Sequence, residues 1–179
     1  MSGAPTRRFF GRDRPPVSAK PPEKGRSTRV RPCTEADLSQ IEAILERSPE
    51  AGVWTARGLA EALEQDRSHF LVGWQYKEIA GFISGRQVLD EGEILNLAVK
   101  PELRRKRVGE ALVEELLEVF AKDRVVKVFL EVRESNTAAI AFYQRMNFRL
   151  TGKRPAYYKN PVEAALVLLR TEEVSASTG

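Results

Sequence analysis

Cysteine and histidine are almost absent from this chain of 179 residues, which contains only Cys33 and His69 of these two types. A single cysteine excludes an intrachain disulfide, and this usage fits a reducing compartment. One cysteine and one histidine also leave no cluster with the spacing of metal ligands, so we expect no metal site. The sequence offers Cys33 no evident histidine partner, and we interpret it as an inert thiol rather than a nucleophile.

Long hydrophobic runs are also missing. The longest ones are about six residues, far below the roughly 20 residues that a membrane span requires. The N-terminus lacks the apolar segment of a secretory signal. It is rich in arginine, as transit peptides are, but five prolines before position 23 argue against the usual amphipathic helix. We therefore expect a cytoplasmic protein without membrane contact.

Residues 1–27 have little apolar content beyond Phe9 and Phe10 and are rich in Pro, Gly, Arg and Lys. Such a segment buries too little surface to offset its ordering entropy, so we predict a disordered basic tail followed by one domain over residues 28–179. Two arginines precede the phenylalanines and would suit a weak contact with RNA or the ribosome. The alternative is a tail that is only solvated.

The net charge of +4 is unevenly distributed. Residues 1–31 carry +7, so the rest of the chain is mildly acidic at −3. A high overall pI is therefore a poor argument that the folded part binds nucleic acid.

The hydrophobic pattern predicts a mixed α/β fold. Apolar and polar residues alternate over residues 69–76 and 79–89, which indicates an antiparallel hairpin. Residues 149–153 and 164–170 are the last two predicted strands. The full order is a strand, two helices, three strands, a helix, a strand, a helix and two strands, which predicts a largely antiparallel sheet flanked by helices.

Several helix ends carry their own signals. Thr34 and Asp37 form a candidate capping box before the first helix, and Thr55 is a candidate N-cap of the second. Asn136 is a candidate N-cap of the last helix, and Asn147 follows that helix at a position suited to left-handed backbone.

The most informative stretch is a strand, a loop and a helix between Ile94 and Ala111. An apolar strand pattern is stopped by Pro101, and the basic residues 104–107 follow. Gly109 then opens a run whose apolar residues are spaced for one face of a helix: Val108, Leu112, Leu116 and Phe120. The first turn of a helix has unpaired backbone N–H groups and a partial positive charge, so this loop can hold a pyrophosphate. The alternative is a basic surface turn.

A second segment, residues 130–148 with the sequence LEVRESNTAAIAFYQRMNF, carries a family resemblance. Together with the basic loop it resembles the GNAT family of N-acetyltransferases and, within it, the bacterial ribosomal-protein-alanine N-acetyltransferases. The matching positions are Leu130, Glu131, Val132, Arg133, Ser135, Asn136, Ala139, Ile140, Tyr143 and Phe148. The sequence departs from the pattern at Arg107 and Asn147, which both replace a glycine. The loop glycine matters because glycine permits left-handed backbone or a close approach to the phosphate.

The resemblance implies a GNAT fold, acetyl-CoA as co-substrate, Glu131 as general base and Tyr143 as general acid. Physical chemistry is consistent with both roles. An α-amine with a pKa of about 7.7 to 8.0 must lose a proton, and the CoA thiolate can take one from a phenol. Without the resemblance, Glu131 would be interpreted as an exposed strand carboxylate and Tyr143 as a core aromatic.

The resemblance also implies which residues contact acetyl-CoA. They are the backbone of Leu97, Ala98 and Val99, the loop and first helical turn of Arg105, Lys106, Arg107, Val108, Gly109 and Glu110, and the side chain of Asn136. A backbone N–H of the strand near the thioester can stabilise the oxyanion that develops during acyl transfer.

The leading hypothesis is acetyl transfer to the N-terminal α-amine of a protein, with the N-terminal alanine of a small-subunit ribosomal protein as the expected acceptor. The alternatives are an acetyltransferase for lysine side chains or a small-molecule amine, and an acyl-CoA or RNA-binding module with weakened catalysis. Asp90, Glu91 and Glu93 would suit a basic acceptor peptide or would form a solvated turn. Tyr157 and Tyr158, in the loop predicted between the last two strands, match paired tyrosines of the family that would cover the acceptor.

Overall fold

A computed structural model describes residues 28–51 and 56–171, which form one mixed α/β domain. The elements in chain order are β1 (Arg29–Pro32), α1 (Leu38–Glu46), α2 (Ala56–Glu64), β2 (Ser68–Gln75), β3 (Glu78–Val88), β4 (Glu91–Val99), α3 (Val108–Lys122), β5 (Lys127–Arg133), α4 (Thr137–Arg145), β6 (Arg149–Lys159) and β7 (Val162–Thr171). Short 3-10 turns lie at Glu35–Asp37, Pro49–Ala51 and Pro101–Leu103. The predicted order of strands and helices is confirmed.

The seven strands form one sheet in the order β1-β2-β3-β4-β5-β7-β6. The β4–β5 pair is parallel and the other neighbouring pairs are antiparallel. This arrangement confirms the predicted largely antiparallel sheet. Within the part of the chain that the structure describes, no helix is long and apolar enough to cross a membrane.

The parallel strands β4 and β5 separate at their C-terminal ends. Their pairing begins at Glu91 opposite Lys127 and ends at Ile94 opposite Leu130. Beyond this point β4 continues along β3, and β5 continues along β7. Leu95 lies at an irregularity in β4, since its two neighbours in the strand pair with consecutive residues of β3. The middle of the sheet therefore opens into a gap between the last residues of β4 and β5.

The sheet has two faces, each covered by its own helices. On the face here called the α3 face, Leu112 and Leu116 of α3 share a core with Leu130 and Val132 of β5 and with Tyr143 of α4. On the opposite face, called the α1 face, the core contains Ile41, Ile44, Leu59, Phe82 and Ala98. Because side chains alternate along a strand, Glu131 points to the α1 face.

The β2–β3 hairpin lies within one or two residues of its predicted bounds. Its two turn residues, Tyr76 and Lys77, both have positive φ, as the tight turns of hairpins require. The predicted capping box is also confirmed, since the Asp37 carboxylate accepts hydrogen bonds from the N–H and the hydroxyl of Thr34, both at 2.8 Å.

The predicted loop around Tyr157 and Tyr158 is wrong, because both residues lie in β6, which extends to Lys159. The register of β6 against β7 shifts between Arg154 and Tyr158, and the strand resumes after this irregularity. Pro155 lies inside it, and prolines within sheets occur at edges and bulges. The proline interrupts the alternation of apolar and polar residues, so the sequence pattern predicted a strand that ends at residue 153.

The acidic residues Glu91 and Glu93 at the start of β4 take part in cross-strand ion pairs. Glu93 Oε2 lies 2.6 Å from Arg86 Nη2, and Glu91 Oε1 lies 3.6 Å from Lys127 Nζ. Both carboxylates belong to the first part of β4, which pairs with β5, rather than to the gap. This placement favours solvated surface residues over an acidic edge for the acceptor. The predicted tail, residues 1–27, and the predicted cap Thr55 lie outside the described residues.

Candidate active site

The basic loop before α3 has a backbone conformation typical of glycine, although Arg107 stands where the family pattern has a glycine. Arg107 is the residue before α3 and has φ of 62° and ψ of 11°, which is left-handed. Arg105 is also left-handed, with φ of 59°. Glycine adopts this conformation freely, whereas other residues are strained in it. Arg107 thus retains the backbone of the glycine that it replaces.

The N-terminus of α3 is available to an anion. The side chains of Arg105, Lys106 and Arg107 are exposed around it, while Val108 is buried and anchors the helix in the core. At Gly109 an added Cβ would lie 3.4 Å from the Phe142 ring, so α3 and α4 approach closely here. Unpaired N–H groups, the helix dipole and three cations together form a site suited to a pyrophosphate.

Arg104 plays a different part from its three neighbours. Its Nη2 donates to Ser48 Oγ at 3.3 Å and pairs with Glu50, and its Nε donates to the carbonyl of Val99 at 3.2 Å. The side chain therefore connects the end of β4 to the Pro49–Ala51 turn. No signal in the sequence indicated this contact between residues more than 50 positions apart.

Two further contacts fix the Pro49–Ala51 turn beside the gap. Asn96 is buried in the last part of β4, and its Nδ2 donates to the carbonyl of Ala51 at 2.7 Å. Arg47 and Glu102 form a bidentate ion pair with both N–O distances at 3.0 Å. The turn is thus held against the last part of β4.

Glu131 lies beside the gap on the α1 face, and its side chain is 16 % exposed. Arg154 Nη1 lies 2.9 Å from Glu131 Oε1. Hydrogen bonding to the same carboxylate is the main reason why the pKa of Tyr157 is raised. The sequence did not reveal that β6 supplies these two partners of the predicted base.

A second cluster from β5, β6 and β7 borders Glu131. The Arg133 guanidinium carbon lies 4.0 Å from the centre of the Tyr158 ring, and Arg133 Nη1 lies 3.2 Å from Glu163 Oε2. Glu163 also accepts a hydrogen bond from the N–H of Ser135. Burial is the main reason why the pKa of Tyr158 is raised. The two predicted tyrosines are therefore both near Glu131, although they lie in a strand.

Tyr143 lies in the core of the α3 face and is 7 % exposed. Its ring makes edge contacts with Phe142 and Phe148, with centroids 5.0 and 5.6 Å apart. Burial raises the pKa of Tyr143, which keeps the phenol protonated and able to donate. The predicted acid and the predicted base thus belong to opposite faces of the sheet.

The remaining predicted contacts to acetyl-CoA lie at the end of β4, in the first turn of α3 and at the start of α4. Leu97, Ala98 and Val99 form the end of β4 beyond its pairing with β5, and Glu110 lies in the first turn of α3. Asn136 is the N-cap of α4, and its Oδ1 accepts from the Ala139 N–H at 3.1 Å. Its predicted contact with acetyl-CoA stays a prediction, because this oxygen already caps the helix. Among the described residues, no group of three His, Cys, Asp or Glu side chains could hold a metal ion.

Comparisons with known proteins agree with this geometry. Residues 37–148 match the family model described as the acetyltransferase (GNAT) family. The chain is 40 % identical over 84 residues to ribosomal protein bS18-alanine N-acetyltransferase of Escherichia coli K12, a match that covers 47 % of this chain and 57 % of that enzyme. It is 33 % identical over 130 residues to a Bacillus subtilis protein that carries the same name provisionally, covering 72 % of this chain and 83 % of that protein.

A solved structure extends the likeness to the whole fold. The crystal structure of the ribosomal-protein-S18-alanine N-acetyltransferase from Escherichia coli has a TM-score of 0.75 and 28 % identity to this chain. The match covers 85 % of this chain and 98 % of that one. The left-handed loop before α3, the gap between β4 and β5 and the family match over residues 37–148 lead to one conclusion. The chain belongs to the GNAT family of acetyltransferases.

Proposed function

We propose that this protein transfers an acetyl group from acetyl-CoA to the N-terminal α-amine of a cytoplasmic protein. The proposed acceptor is the N-terminal alanine of a small-subunit ribosomal protein, by analogy with the names of the E. coli and B. subtilis relatives. One observation carries the proposal: Glu131 and Tyr143 lie on opposite faces of the sheet, on either side of the strand that borders the gap.

The gap and the loop suit the parts of acetyl-CoA. The backbone of Leu97, Ala98 and Val99 has no β5 partner beyond Ile94, so its polar groups on that side, apart from the Val99 carbonyl that accepts from Arg104 Nε, are available to the pantetheine and the thioester. The loop over Arg105 to Glu110 would hold the pyrophosphate at the N-terminus of α3. The co-substrate supplies the activated acyl carbon, and the protein supplies position and proton transfer.

Glu131 would act on the acceptor. An N-terminal amine with a pKa of about 7.7 to 8.0 is largely protonated near neutral pH and cannot attack until it loses a proton. A carboxylate on the α1 face can accept that proton directly or through one water. A strand N–H at the end of β4 would stabilise the oxyanion during attack.

Tyr143 would act on the leaving group. Its burial favours the neutral phenol, which is the form that can protonate a departing thiolate. Its place on the α3 face lies on the side of the loop that suits the pyrophosphate, whereas Glu131 lies on the other side. The acceptor and CoA would thus enter and leave from different faces.

Acetylation assays with matched acceptors test the proposal. The acceptors are a peptide that begins with alanine and contains an internal lysine, the same peptide with a blocked N-terminus, and a polyamine. We expect acetylation of the first peptide at its α-amine only. Acetylation of the blocked peptide or the polyamine at an equal rate would replace the proposal with a lysine or small-amine acetyltransferase. Absence of acetyl-CoA binding in calorimetry would overturn it altogether.

A further inference from the structure

Two residues of β6 converge on the carboxylate that the proposed mechanism uses as base. Arg154 forms an ion pair with Glu131 at 2.9 Å, and hydrogen bonding links Tyr157 to the same group. The Arg154 side chain is 59 % exposed and the Glu131 side chain 16 % exposed. The guanidinium therefore covers the carboxylate from the solvent side, where an acceptor must enter.

An irregularity in β6 produces this convergence. Arg154 and Tyr157 are three positions apart, so in a regular strand their side chains would point to opposite faces. Between Arg154 and Tyr158, however, three residues of β6 stand against one residue of β7. Ala156, inside this segment, has φ of 51°. Bulges commonly redirect a side chain next to an active site, and this one brings both partners to Glu131.

Neighbouring charges are already paired, which leaves Arg154 and Glu131 to each other. Lys153, the residue before Arg154, has its Nζ 2.5 Å from Oε1 of Glu134, which follows β5. Glu163 is occupied by Arg133 and by the N–H of Ser135. An acceptor ammonium that pairs with Glu131 Oε1 would compete with Arg154, which holds the position of a substrate cation in the protein without acceptor.

We propose that Arg154 is a displaceable counter-ion that withholds Glu131 from water and releases it to an acceptor amine. This inference rests on the proposed function and concerns how the same site excludes water as a nucleophile. It makes Arg154 a specificity residue that favours amine over water as the nucleophile.

The reaction that Arg154 would suppress is hydrolysis of the thioester. In that reaction Glu131 takes a proton from water, and the water oxygen forms a bond to the acyl carbon. The carbon–sulfur bond then breaks, acetic acid is formed, and the sulfur leaves as a thiolate that takes a proton from Tyr143. Water is present at far higher concentration than any acceptor, so a freely exposed base would favour hydrolysis of acetyl-CoA.

The test measures release of CoA thiol from acetyl-CoA without an acceptor. Arg154→Gln keeps the size and polarity of the side chain but removes the charge, and Lys153→Gln is the matched control on the same strand. We expect Arg154→Gln to raise acceptor-free thiol release about fivefold or more, the effect of about one kcal/mol at a partly exposed pair. Lys153→Gln and the charge-conserving Arg154→Lys should remain within about twofold of the natural protein.

Two outcomes would overturn the inference. The first is equal acceptor-free thiol release from the natural protein and Arg154→Gln, with both folded by circular dichroism. The second is a raised release that persists in Glu131→Gln/Arg154→Gln, because the water reaction would then not use Glu131. Peptide acetylation by the natural protein is measured in the same assay. If the natural protein acetylates the peptide but thiol release does not respond to Arg154→Gln, only this inference fails. If the natural protein does not acetylate the peptide, the result counts against the proposed function.

Discussion

Glu131 and Tyr143 lie on opposite faces of one strand. Leu130 and Val132 flank Glu131 and belong to the same core as Tyr143. The intervening Glu131 side chain turns the other way and contacts Arg154. The alternation of a single strand therefore separates the proposed proton acceptor from the proposed proton donor across the sheet.

Replacement of Glu131 by Gln should lower kcat by about 100-fold, the usual size of a general-base effect. Gln keeps the side-chain volume and can still accept a hydrogen bond from Tyr157, so the acceptor KM should change little. Steady-state acetylation of an alanine-initiated peptide measures both constants. Glu134→Gln is a matched control, since Glu134 is an exposed carboxylate paired with Lys153. Unchanged turnover in Glu131→Gln would remove this residue from the mechanism.

The pH profile of Glu131→Gln should also change. Without the base, only amine that has already lost its proton in solution can attack, so the rate should rise with pH through the amine pKa of about 7.7 to 8.0. The apparent pH optimum therefore moves upward. A variant whose profile matches that of the natural protein would argue against proton transfer to Glu131.

Replacement of Tyr143 by Phe should lower kcat by about tenfold to 100-fold with little change in acceptor KM. Because burial raises the pKa of Tyr143, the phenol stays protonated up to at least its ordinary pKa of about 10. The rate of the natural protein should therefore show no alkaline decline from this residue below about pH 10. Steady-state kinetics across this range check both points. A decline near pH 8 that is absent in Tyr143→Phe would show that the phenol ionises early.

Local sequence signals specified much of the cofactor side of the site. Asn136 caps α4 and Asn147 is left-handed with φ of 65°, as their residue types indicated. The strand, basic loop and amphipathic helix were likewise visible, because each depends on residues close together in the chain. Such features need only periodicity and capping preferences.

The proposed acceptor side depends on strand register, which the sequence does not display. Arg154 and Glu131 are 23 positions apart and meet because β7 lies between β5 and β6, and because β6 bulges there. Arg104 belongs to the basic stretch 104–107 of the predicted loop, yet its side chain contacts Ser48 and Glu50. Both contacts follow from how distant strands and turns are placed, and neither is encoded in a local pattern.

Asp37 provides a test of stability against pH. Hydrogen bonds from Arg31, followed by those from Thr34, lower the pKa of Asp37 from 3.8 to about 2. Because the carboxyl pKa is lower in the folded state, the carboxylate stabilises that state at pH values above its pKa in the unfolded chain. This contribution is lost as the pH falls from about 4 toward 2. Asp37→Asn should therefore lower the free energy of unfolding by about 2 kcal/mol at pH 7, with a smaller difference at pH 3. Urea unfolding measures this difference, and Glu35→Gln in the same turn is the exposed control. An equal difference at both pH values would contradict the ionic origin.

Arg107 allows the backbone of the loop to be separated from its charge. Its left-handed φ of 62° costs about 1 kcal/mol or more for a residue with a Cβ, and most for a β-branched one. Arg107→Gly should therefore preserve the free energy of unfolding and bind acetyl-CoA within about threefold of the natural protein, since only an exposed charge is lost. Arg107→Val should unfold more easily and bind about tenfold more weakly, because a β-branched residue disfavours the backbone that presents the N–H groups of α3. Calorimetric titration and urea unfolding compare the two. Equal weakening of acetyl-CoA binding in both variants, which both lose the charge, would assign the role of Arg107 to its charge instead of its backbone.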